Sequence, residues 1–156
     1  DSLYNNQSIH QQLAPAIGQM WEENLGVRVT FRWLEKTRFA AERQESHNFD
    51  VARAGWYGDY ADPTTWLDLA KTGNSNNDGL FSNAEYDGLL DRAFSEGDPA
   101  KRLGILSDAE KLMVEREFPF LPLYQYADGY LYDESKVGGV MMNVRMLTEL
   151  KWVYRK

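Results

Sequence analysis

The first 54 residues alternate between short apolar segments with strand periodicity and longer segments with helical periodicity. Strand patterns end at Leu3-Tyr4, alternate from Val27 to Trp33, and cover Phe49–Ala54. Helical patterns fill the two intervals, from Ser8 to Gly26 and from about Thr37 to Ser46. A β-α-β-α-β order favours a parallel sheet with right-handed crossovers, because parallel strands need long connections.

The first helical segment carries signals for both of its ends. Ser8 is expected to cap the helix, and Gly26 is expected to end it. Pro15 lacks a backbone N–H, so we expect a kink or a late start near it. The residues expected to face the core are Ile9, Leu13, Ile17, Met20 and Trp21 in this helix, and Val27, Val29, Phe31 and Trp33 in the following strand.

The second half of the sequence is less regular. Lys71–Gly79 is rich in Asn, Gly and Ser and is expected to be a loop, and Asp98-Pro99 is typical of a helix start. Strands are expected at Phe120–Tyr126 and Tyr130–Tyr132, joined by Asp128-Gly129, and at Leu150–Tyr154. Two helical stripes predict core residues: Tyr86, Leu89, Leu90, Ala93 and Phe94, then Leu103, Leu106, Ala109, Leu112 and Met113.

The segment that follows the third strand pattern combines charged and aromatic residues. Arg53, Gly55, Trp56, Tyr57 and Asp59 all lie within seven positions of one another. Ligands of open α/β sheets bind just beyond the carboxyl ends of strands. Because six extended residues span at most ~20 Å, one loop can offer opposite charges to the two ends of a small zwitterion.

A purely structural interpretation of the same residues stays open. Arg53 and Asp59 can pair with each other or with neighbours, and Trp56 and Tyr57 can be core aromatics. Asp62 is most simply the N-cap of a helix that opens at Pro63.

Composition excludes several function classes. The formal net charge is −7, which argues against nucleic-acid binding, since phosphate contacts need clustered Lys and Arg. Two His residues, no Cys and no Gly-x-Ser-x-Gly motif leave little basis for a zinc site or a serine nucleophile. We therefore expect no metal and no cofactor. A hydrolase that uses Asp59 and Asp62 as acid and base remains an alternative from a different class.

Several strings resemble the oligopeptide-binding proteins of bacterial ABC importers, members of extracytoplasmic solute-binding family 5. The strongest match is Asp50–Trp56 followed by Gly58-Asp59-Tyr60 and Asp62-Pro63-Thr64. The resemblance covers essentially the whole chain, as the C-terminal portion of a protein several times longer. Further matching segments are Ser8-Ile9-His10, Trp21, Asn24–Val27, Asn76-Asn77, the helix containing Glu110, and Phe120–Tyr124.

The resemblance implies an α/β fold: a type II periplasmic-binding-protein-like lobe with a mostly parallel sheet, flanking helices and a C-terminal α+β segment. Residues 1–156 would form a single ligand-binding lobe of a larger two-lobed protein. The tail strand, residues 148–156, would belong to the other lobe.

The resemblance also implies a function without catalytic chemistry. The protein would capture oligopeptides between two lobes, in the periplasm or elsewhere outside the cytoplasm, and deliver them to the membrane permease of an ABC transporter. Asp59 would bind the peptide ammonium, and Arg53, Arg43 and His10 would lie at the carboxylate end. Gly55, Trp56 and Tyr57 would contribute pocket walls and backbone pairing.

Alternatives to these assignments remain. His10 is equally well explained as a surface residue in the first turn of a helix, and Arg43 as a solvated helix residue. The same fold can carry a murein peptide, a dipeptide, a sugar, an opine or a metal chelate, although opposite charges at Arg53 and Asp59 favour a zwitterion. An isolated lobe is also expected to self-associate through its exposed apolar face.

Overall fold

The computed structural model describes residues 1–127, 129–147 and 149–156. These residues divide into a first unit, Asp1–Gly55, and a second unit, Trp56–Lys156. In the described part of the chain, no helix combines the length and the apolar character that crossing a membrane requires.

A three-stranded parallel sheet organises the first unit. Strands β1 (Ser2–Asn5), β2 (Phe31–Leu34) and β3 (Val51–Ala52) lie in the order β2-β1-β3. Ser2 pairs with Phe31 on one side and with Val51 on the other, so β1 is the central strand. The predicted β-α-β-α-β order with parallel strands is confirmed, although β2 and β3 are shorter than their sequence patterns.

Two helices connect these strands. Helix α1 (Ser8–Leu25) is preceded by Gln7 as the N-cap residue, and the side chain of Ser8 lies outside what the structure describes. The helix contains Pro15 and continues on both sides of it, so a late start is wrong. Gly26 ends α1 with a φ of 67°, a conformation that glycine adopts without strain. Helix α2 (Lys36–Ala41) continues into a π-helical turn, Glu42–Ser46.

The apolar faces predicted for α1 and β2 are only partly correct. Ile9 and Met20 are exposed, whereas His10 is buried, so the buried stripe of α1 is rotated toward His10 and Gly18. The Phe31 ring covers Gly18 and would meet any Cβ there. A strand face is buried only where another element covers it, and Phe31 and Trp33 remain partly exposed on this edge strand.

The second unit is built around helices. Helix α3 (Thr64–Leu67) runs into a 3₁₀ turn (Asp68–Ala70), and it is followed by α4 (Ala84–Ser95) and α5 (Pro99–Lys111), which continues as a π-helical turn (Leu112–Glu117). The Asp98 carboxylate accepts hydrogen bonds from the backbone N–H groups of Ala100 and Lys101 at 2.9 and 3.1 Å, which confirms the predicted cap. The core consists of Leu67, Ala70, Tyr86, Leu89, Leu90, Ala93, Leu106, Ala109, Leu112 and Met113.

The prediction of burial is wrong for two residues of the helical stripes. Phe94 is 92% exposed and Leu103 is 55% exposed. Phe94 lies about 80° around the α4 axis from Tyr86, at the margin of the stripe that packs against α5. Helical spacing places a residue near the core, but the width of the packing partner decides whether it is covered.

The C-terminal region contains less strand than its alternation predicts. No described residue of Phe120–Tyr126 or Tyr130–Tyr132 is in a strand, and Asp128 lies outside the described residues. The predicted tail strand is instead a 3₁₀ turn (Leu150–Trp152) followed by β5 (Tyr154–Arg155), which pairs antiparallel with β4 (Val137–Gly138). Alternation alone does not make a strand, because backbone N–H and C=O groups also need a neighbouring strand.

Candidate functional site

The residues singled out in the sequence fall on both sides of the boundary between the units. His10, Arg43, Arg53 and Gly55 belong to the first unit, and Trp56, Tyr57 and Asp59 belong to the second. Each group is therefore described within its own unit.

A basic cluster, defined here as His10, Arg43 and Arg53, lies at the carboxyl edge of the parallel sheet. Arg53 follows β3, and its backbone N–H donates to the Leu3 carbonyl of β1 at 2.8 Å. Arg43 Nη1 donates to the Arg53 carbonyl at 3.3 Å. Helix α1 connects β1 to β2 on one side, and α2 then connects β2 to β3 on the other side of β1. Open α/β sheets bind ligands at the carboxyl edge where the strand order reverses in this way.

His10 is the most buried member of the basic cluster. It is 3% exposed, so its interpretation as a surface histidine is wrong. Burial lowers its pKa below the ordinary value, and the nearby charge of Arg53 lowers the pKa further. Its Nε2 atom is buried and meets no hydrogen-bond partner among the described residues. A neutral imidazole beside a guanidinium is suited to hydrogen bonding with an anion that Arg53 attracts.

The Arg43 guanidinium is held by contacts within the first unit. Its guanidinium carbon lies 5.3 Å from the centroid of the Phe39 ring, a cation–π contact, and Phe39 is buried. The side chain is therefore partly buried on α2 and its extension, which does not fit a fully solvated helix residue. Arg32 contrasts with it, because two carboxylates, of Asp1 at 3.0 Å and Glu42 at 3.4 Å, surround its guanidinium in a structural ion-pair network.

The Asp59 turn, defined here as Gly58–Asp62, is tightly held in the second unit. Gly58 is buried, and a Cβ at this position would lie 2.9 Å from the Trp66 ring. The Asp59 backbone N–H donates to Thr65 Oγ1 at 2.9 Å, while the Asp59 residue is exposed. The carboxylate is thus presented to solvent from a backbone that has little freedom.

The two aromatics before this turn are not core residues. Trp56 is 37% exposed and Tyr57 is 52% exposed. The Tyr57 ring stacks on Tyr126 with centroids 5.9 Å apart, and Tyr126 packs edge-to-face against Tyr124 at 5.1 Å. A row of partly exposed tyrosine rings forms a surface with both apolar faces and polar hydroxyl groups.

Asp62 caps the start of α3 as the sequence predicts, although the helix begins at Thr64 and Pro63 is its N-cap residue. Its Oδ1 accepts hydrogen bonds from the backbone N–H of Thr64 at 3.0 Å and from Thr64 Oγ1 at 2.8 Å, at the start of α3. Arg102 also donates hydrogen bonds to both carboxylate oxygens, from Nη1 at 2.6 Å and from Nη2 at 2.9 Å. These bonds, chiefly those from Arg102, hold the pKa of Asp62 well below its ordinary value. A carboxyl held ionised in this way is a poor general acid, which argues against an acid–base pair with Asp59.

Sequence reasoning missed two polar residues near these groups. Arg102 lies 40 positions after Asp62, and nothing in the local sequence links them. Asn5 ends β1 at the carboxyl edge of the sheet and is 5% exposed. Its Oδ1 is a buried acceptor that no described residue satisfies. The described residues also contain no group of three or more metal-ligating side chains.

Comparison of the sequence with known proteins identifies the family. Residues 1–78 match the model of bacterial extracellular solute-binding proteins, family 5 Middle. The periplasmic murein peptide-binding protein MppA of Escherichia coli is 40% identical over 129 residues, which cover 83% of this chain and 24% of MppA. The oligopeptide-binding protein OppA of Bacillus subtilis is 34% identical over 139 residues, 88% of this chain and 25% of OppA.

The fold agrees with the sequence comparison. The solved structure of the E. coli murein tripeptide-binding protein MppA superposes with a TM-score of 0.84 and 35% identity, over 99% of this chain and 30% of that structure. This chain spans about a quarter of the length of the curated relatives it matches. The expected α/β fold, that of a type II periplasmic-binding-protein-like lobe, is confirmed, and the chain belongs to the bacterial extracellular solute-binding proteins of family 5.

Proposed function

We propose that this chain is one ligand-binding lobe of a two-lobed extracytoplasmic protein that captures oligopeptides for an ABC importer. The names of MppA and the B. subtilis OppA, which bind murein peptide and oligopeptide, support this ligand class. The chain spans about a quarter of their length, so residues 1–156 would be one part of a longer protein. Peptide would then be delivered to a membrane permease by a protein located in the periplasm or elsewhere outside the cytoplasm.

The observation that carries the proposal is the basic cluster at the carboxyl edge of the sheet. Arg53 and Arg43 are in contact there, beside a buried and neutral His10. A guanidinium binds a carboxylate through two parallel hydrogen bonds, and it keeps its charge at all relevant pH values. The cluster is therefore suited to the C-terminal carboxylate of a peptide, with His10 adding one hydrogen bond.

Asp59 supplies the opposite charge. Its carboxylate is exposed, and its backbone is fixed by Thr65 and by the packing of Gly58. A carboxylate in a fixed position matches the α-ammonium of a peptide, through charge-assisted hydrogen bonds that uncharged solutes cannot replace. A zwitterionic peptide therefore fits these residues better than a sugar.

Gly55, Trp56 and Tyr57 would contribute pocket walls and backbone pairing to the bound peptide. All three are exposed. Backbone groups around Gly55 and Trp56 can pair with an extended peptide as an added strand does, and the aromatic rings can wall its side-chain pockets. Main-chain pairing selects for the length and direction of a peptide more than for its side chains. This selectivity suits a protein that carries peptides of varied sequence.

Closure of two lobes around the ligand would complete the mechanism. Buried peptide groups must all find hydrogen-bond partners, so the second lobe would satisfy those that this lobe leaves in water. We propose no catalytic step, since the ionised Asp62 gives Asp59 no partner that could act as an acid.

Blocking each end of the peptide tests this assignment in the complete protein. We expect the Asp59→Asn variant to weaken binding of a free tripeptide by about 1.5–3 kcal/mol, the range for a hydrogen bond to a charged group. The variant should lose discrimination against the N-acetylated tripeptide, while Arg53→Gln should lose discrimination against the C-terminal amide. Isothermal titration calorimetry with the three peptide forms measures both effects.

Asp108→Asn is the matched control for Asp59→Asn. Asp108 lies on α5 with its side chain 62% exposed, and its substitution removes the same charge. This variant should bind all three peptide forms as the wild type does. If Asp59→Asn behaves in the same way as Asp108→Asn, the ammonium assignment is wrong.

A further inference from the structure

The Asp59 turn is tied to a distant helix by a continuous set of hydrogen bonds. We propose that Arg102, on α5, is a positioning residue for recognition of the peptide ammonium, because its two-pronged contact with Asp62 fixes the turn that presents Asp59. This inference rests on the proposed function, since it assigns Arg102 a role in the same ammonium site.

The first link joins α5 to the turn. Arg102 Nη1 and Nη2 donate to the two oxygens of Asp62 at 2.6 and 2.9 Å, with side chains 27% and 29% exposed. A two-pronged contact between guanidinium and carboxylate fixes orientation as well as distance. The contact joins positions 40 residues apart, so it constrains the turn from outside its own segment.

The second link runs from Asp62 back to Asp59. The Asp62 carbonyl accepts the backbone N–H of Thr65 at 3.1 Å, and the carboxylate of Asp62 accepts the N–H of Thr64. Thr65 Oγ1 then accepts the backbone N–H of Asp59 at 2.9 Å. Thr65 is 4% exposed, so water has little access to replace this hydroxyl. Arg102 therefore reaches the Asp59 backbone through Asp62 and Thr65.

Packing of the turn against the start of α3 constrains it further. Gly58 lies against the Trp66 ring, where even a Cβ would be too close, and the Tyr60 hydroxyl is 3.1 Å from Thr64 Oγ1. With these contacts in place, the remaining freedom of Asp59 depends on whether Asp62 stays in position. Recognition of a charged group by a single carboxylate is sensitive to small displacements, so loss of the Arg102 contact should weaken it.

The ratio of affinities for a free and an N-acetylated tripeptide isolates this role. In the complete protein, we expect Arg102→Gln to reduce that ratio by about tenfold, the effect of losing roughly one hydrogen bond. Arg102→Lys keeps the positive charge but cannot form the bidentate contact, so it should restore part of the affinity ratio. Amide hydrogen exchange, followed by mass spectrometry with fragmentation or by NMR, should show faster exchange at the Asp59 N–H in Arg102→Gln.

Arg116→Gln is the matched control. Arg116 lies on the extension of α5 and pairs with Glu85 at 3.3 Å, and its substitution removes the same charge on the same helical segment. The control should keep both the wild-type affinity ratio and the wild-type exchange rate at Asp59. An effect confined to Arg102 thus separates positioning from loss of any surface cation.

The outcomes distinguish this inference from the proposed function. If the wild type prefers the free peptide and a folded Arg102→Gln protein keeps that preference, the positioning role is wrong and the proposed function stands. If the wild type shows no preference, the ammonium assignment fails and the positioning role fails with it. In that case, faster exchange at the Asp59 N–H in Arg102→Gln would show that the contacts from Arg102 to the turn exist and that only the ligand assignment is wrong.

A second pair of variants decides the matter if Arg102→Gln does not fold. Thr65→Val removes the hydroxyl that accepts the Asp59 N–H, and Thr65→Ser retains it. We expect Thr65→Val to lower the affinity ratio and Thr65→Ser to preserve it. Equal ratios in the two variants would overturn the proposal.

Discussion

Burial of His10 beside Arg53 links the stability of the first unit to pH. Because its pKa in the folded state lies below the ordinary value of 6.5, the unfolded chain binds a proton more readily. The His10 contribution to the free energy of unfolding is therefore complete above pH 6.5, and it declines as the pH falls through the window below that value.

His10→Gln should remove this dependence. We compare the free energy of unfolding of the wild type with that of the variant. The wild-type value should rise relative to the variant value between about pH 5 and about pH 7.5, by no more than about 1.4 kcal/mol per pH unit. Urea unfolding at the two pH values measures the difference. A difference that does not change with pH would contradict the assigned burial and charge environment of His10.

The linkage of Asp62 has the same sign as that of His10, but it acts in a lower pH window. Its folded pKa lies below the ordinary value of 3.8, mainly because of Arg102, so its contribution to stability is present above that value and is lost as the pH falls below it. We expect Arg102→Gln to have a lower free energy of unfolding than the wild type at neutral pH. This difference in the free energy of unfolding should decrease only below about pH 4. Denaturant unfolding across this range tests the prediction, and a difference that narrows already near neutral pH would contradict it.

Among the helices and strands, the Tyr86 hydroxyl links α4 to the end of α3. It is fully buried and donates to the Leu67 carbonyl at 2.7 Å. Tyr86→Phe removes this buried hydrogen bond, so we expect a loss of about 1 kcal/mol in the free energy of unfolding. Phe94→Tyr, which changes the same hydroxyl on the exposed face of the same helix, should change stability by less than about 0.5 kcal/mol. Urea denaturation compares the two, and equal effects would contradict the role of the hydrogen bond.

Local signals predicted the end of α1 at Gly26 and the start of α5 at Asp98, but Ser8 is not the N-cap residue of α1. Gly26 and Asp98 act through backbone conformation and through hydrogen bonds to residues two or three positions away, so the sequence around them contains the information. The failures at Phe94 and at Phe120–Tyr126 have another cause. Burial of Phe94 and pairing of a strand depend on which element lies beside them, and helical or alternating periodicity does not specify the neighbour.

The same distinction explains how the candidate site was found. The loop with Arg53 and Asp59 was predictable because a charged and aromatic segment directly follows a strand pattern. The family resemblance predicted that Arg43 and Arg53 lie at the same end of the ligand, and their hydrogen bond is seen only in the structure. Arg102 was not predictable, because its partner Asp62 is brought to it by the packing of helices distant in sequence.

At the scale of the whole molecule, many large apolar side chains remain exposed. Phe94 and Leu131 are almost fully exposed, and Trp56 and Trp152 are 37% and 54% exposed. Large exposed apolar surfaces favour association. We propose that in the complete protein much of this surface is covered by the remainder of the chain.

The isolated 156-residue chain should therefore bind peptide weakly and tend to self-associate. One lobe leaves roughly half of a ligand in water, so we expect affinity near the millimolar level, about −4 kcal/mol. Titration with a tripeptide that the complete protein binds, together with sedimentation, tests this. Micromolar binding by a strictly monomeric chain would show that this lobe contains the whole site.

Capture of a peptide through both of its charged ends can be tested by calorimetry with peptides whose two ends are free or blocked. The complete protein is titrated with a free tripeptide and with the same tripeptide acetylated at its N-terminus and amidated at its C-terminus. We expect the blocked peptide to bind at least about 100-fold more weakly, since two hydrogen bonds to charged groups are lost. Equal affinity for the two peptides would contradict the roles of Asp59 and of the basic cluster.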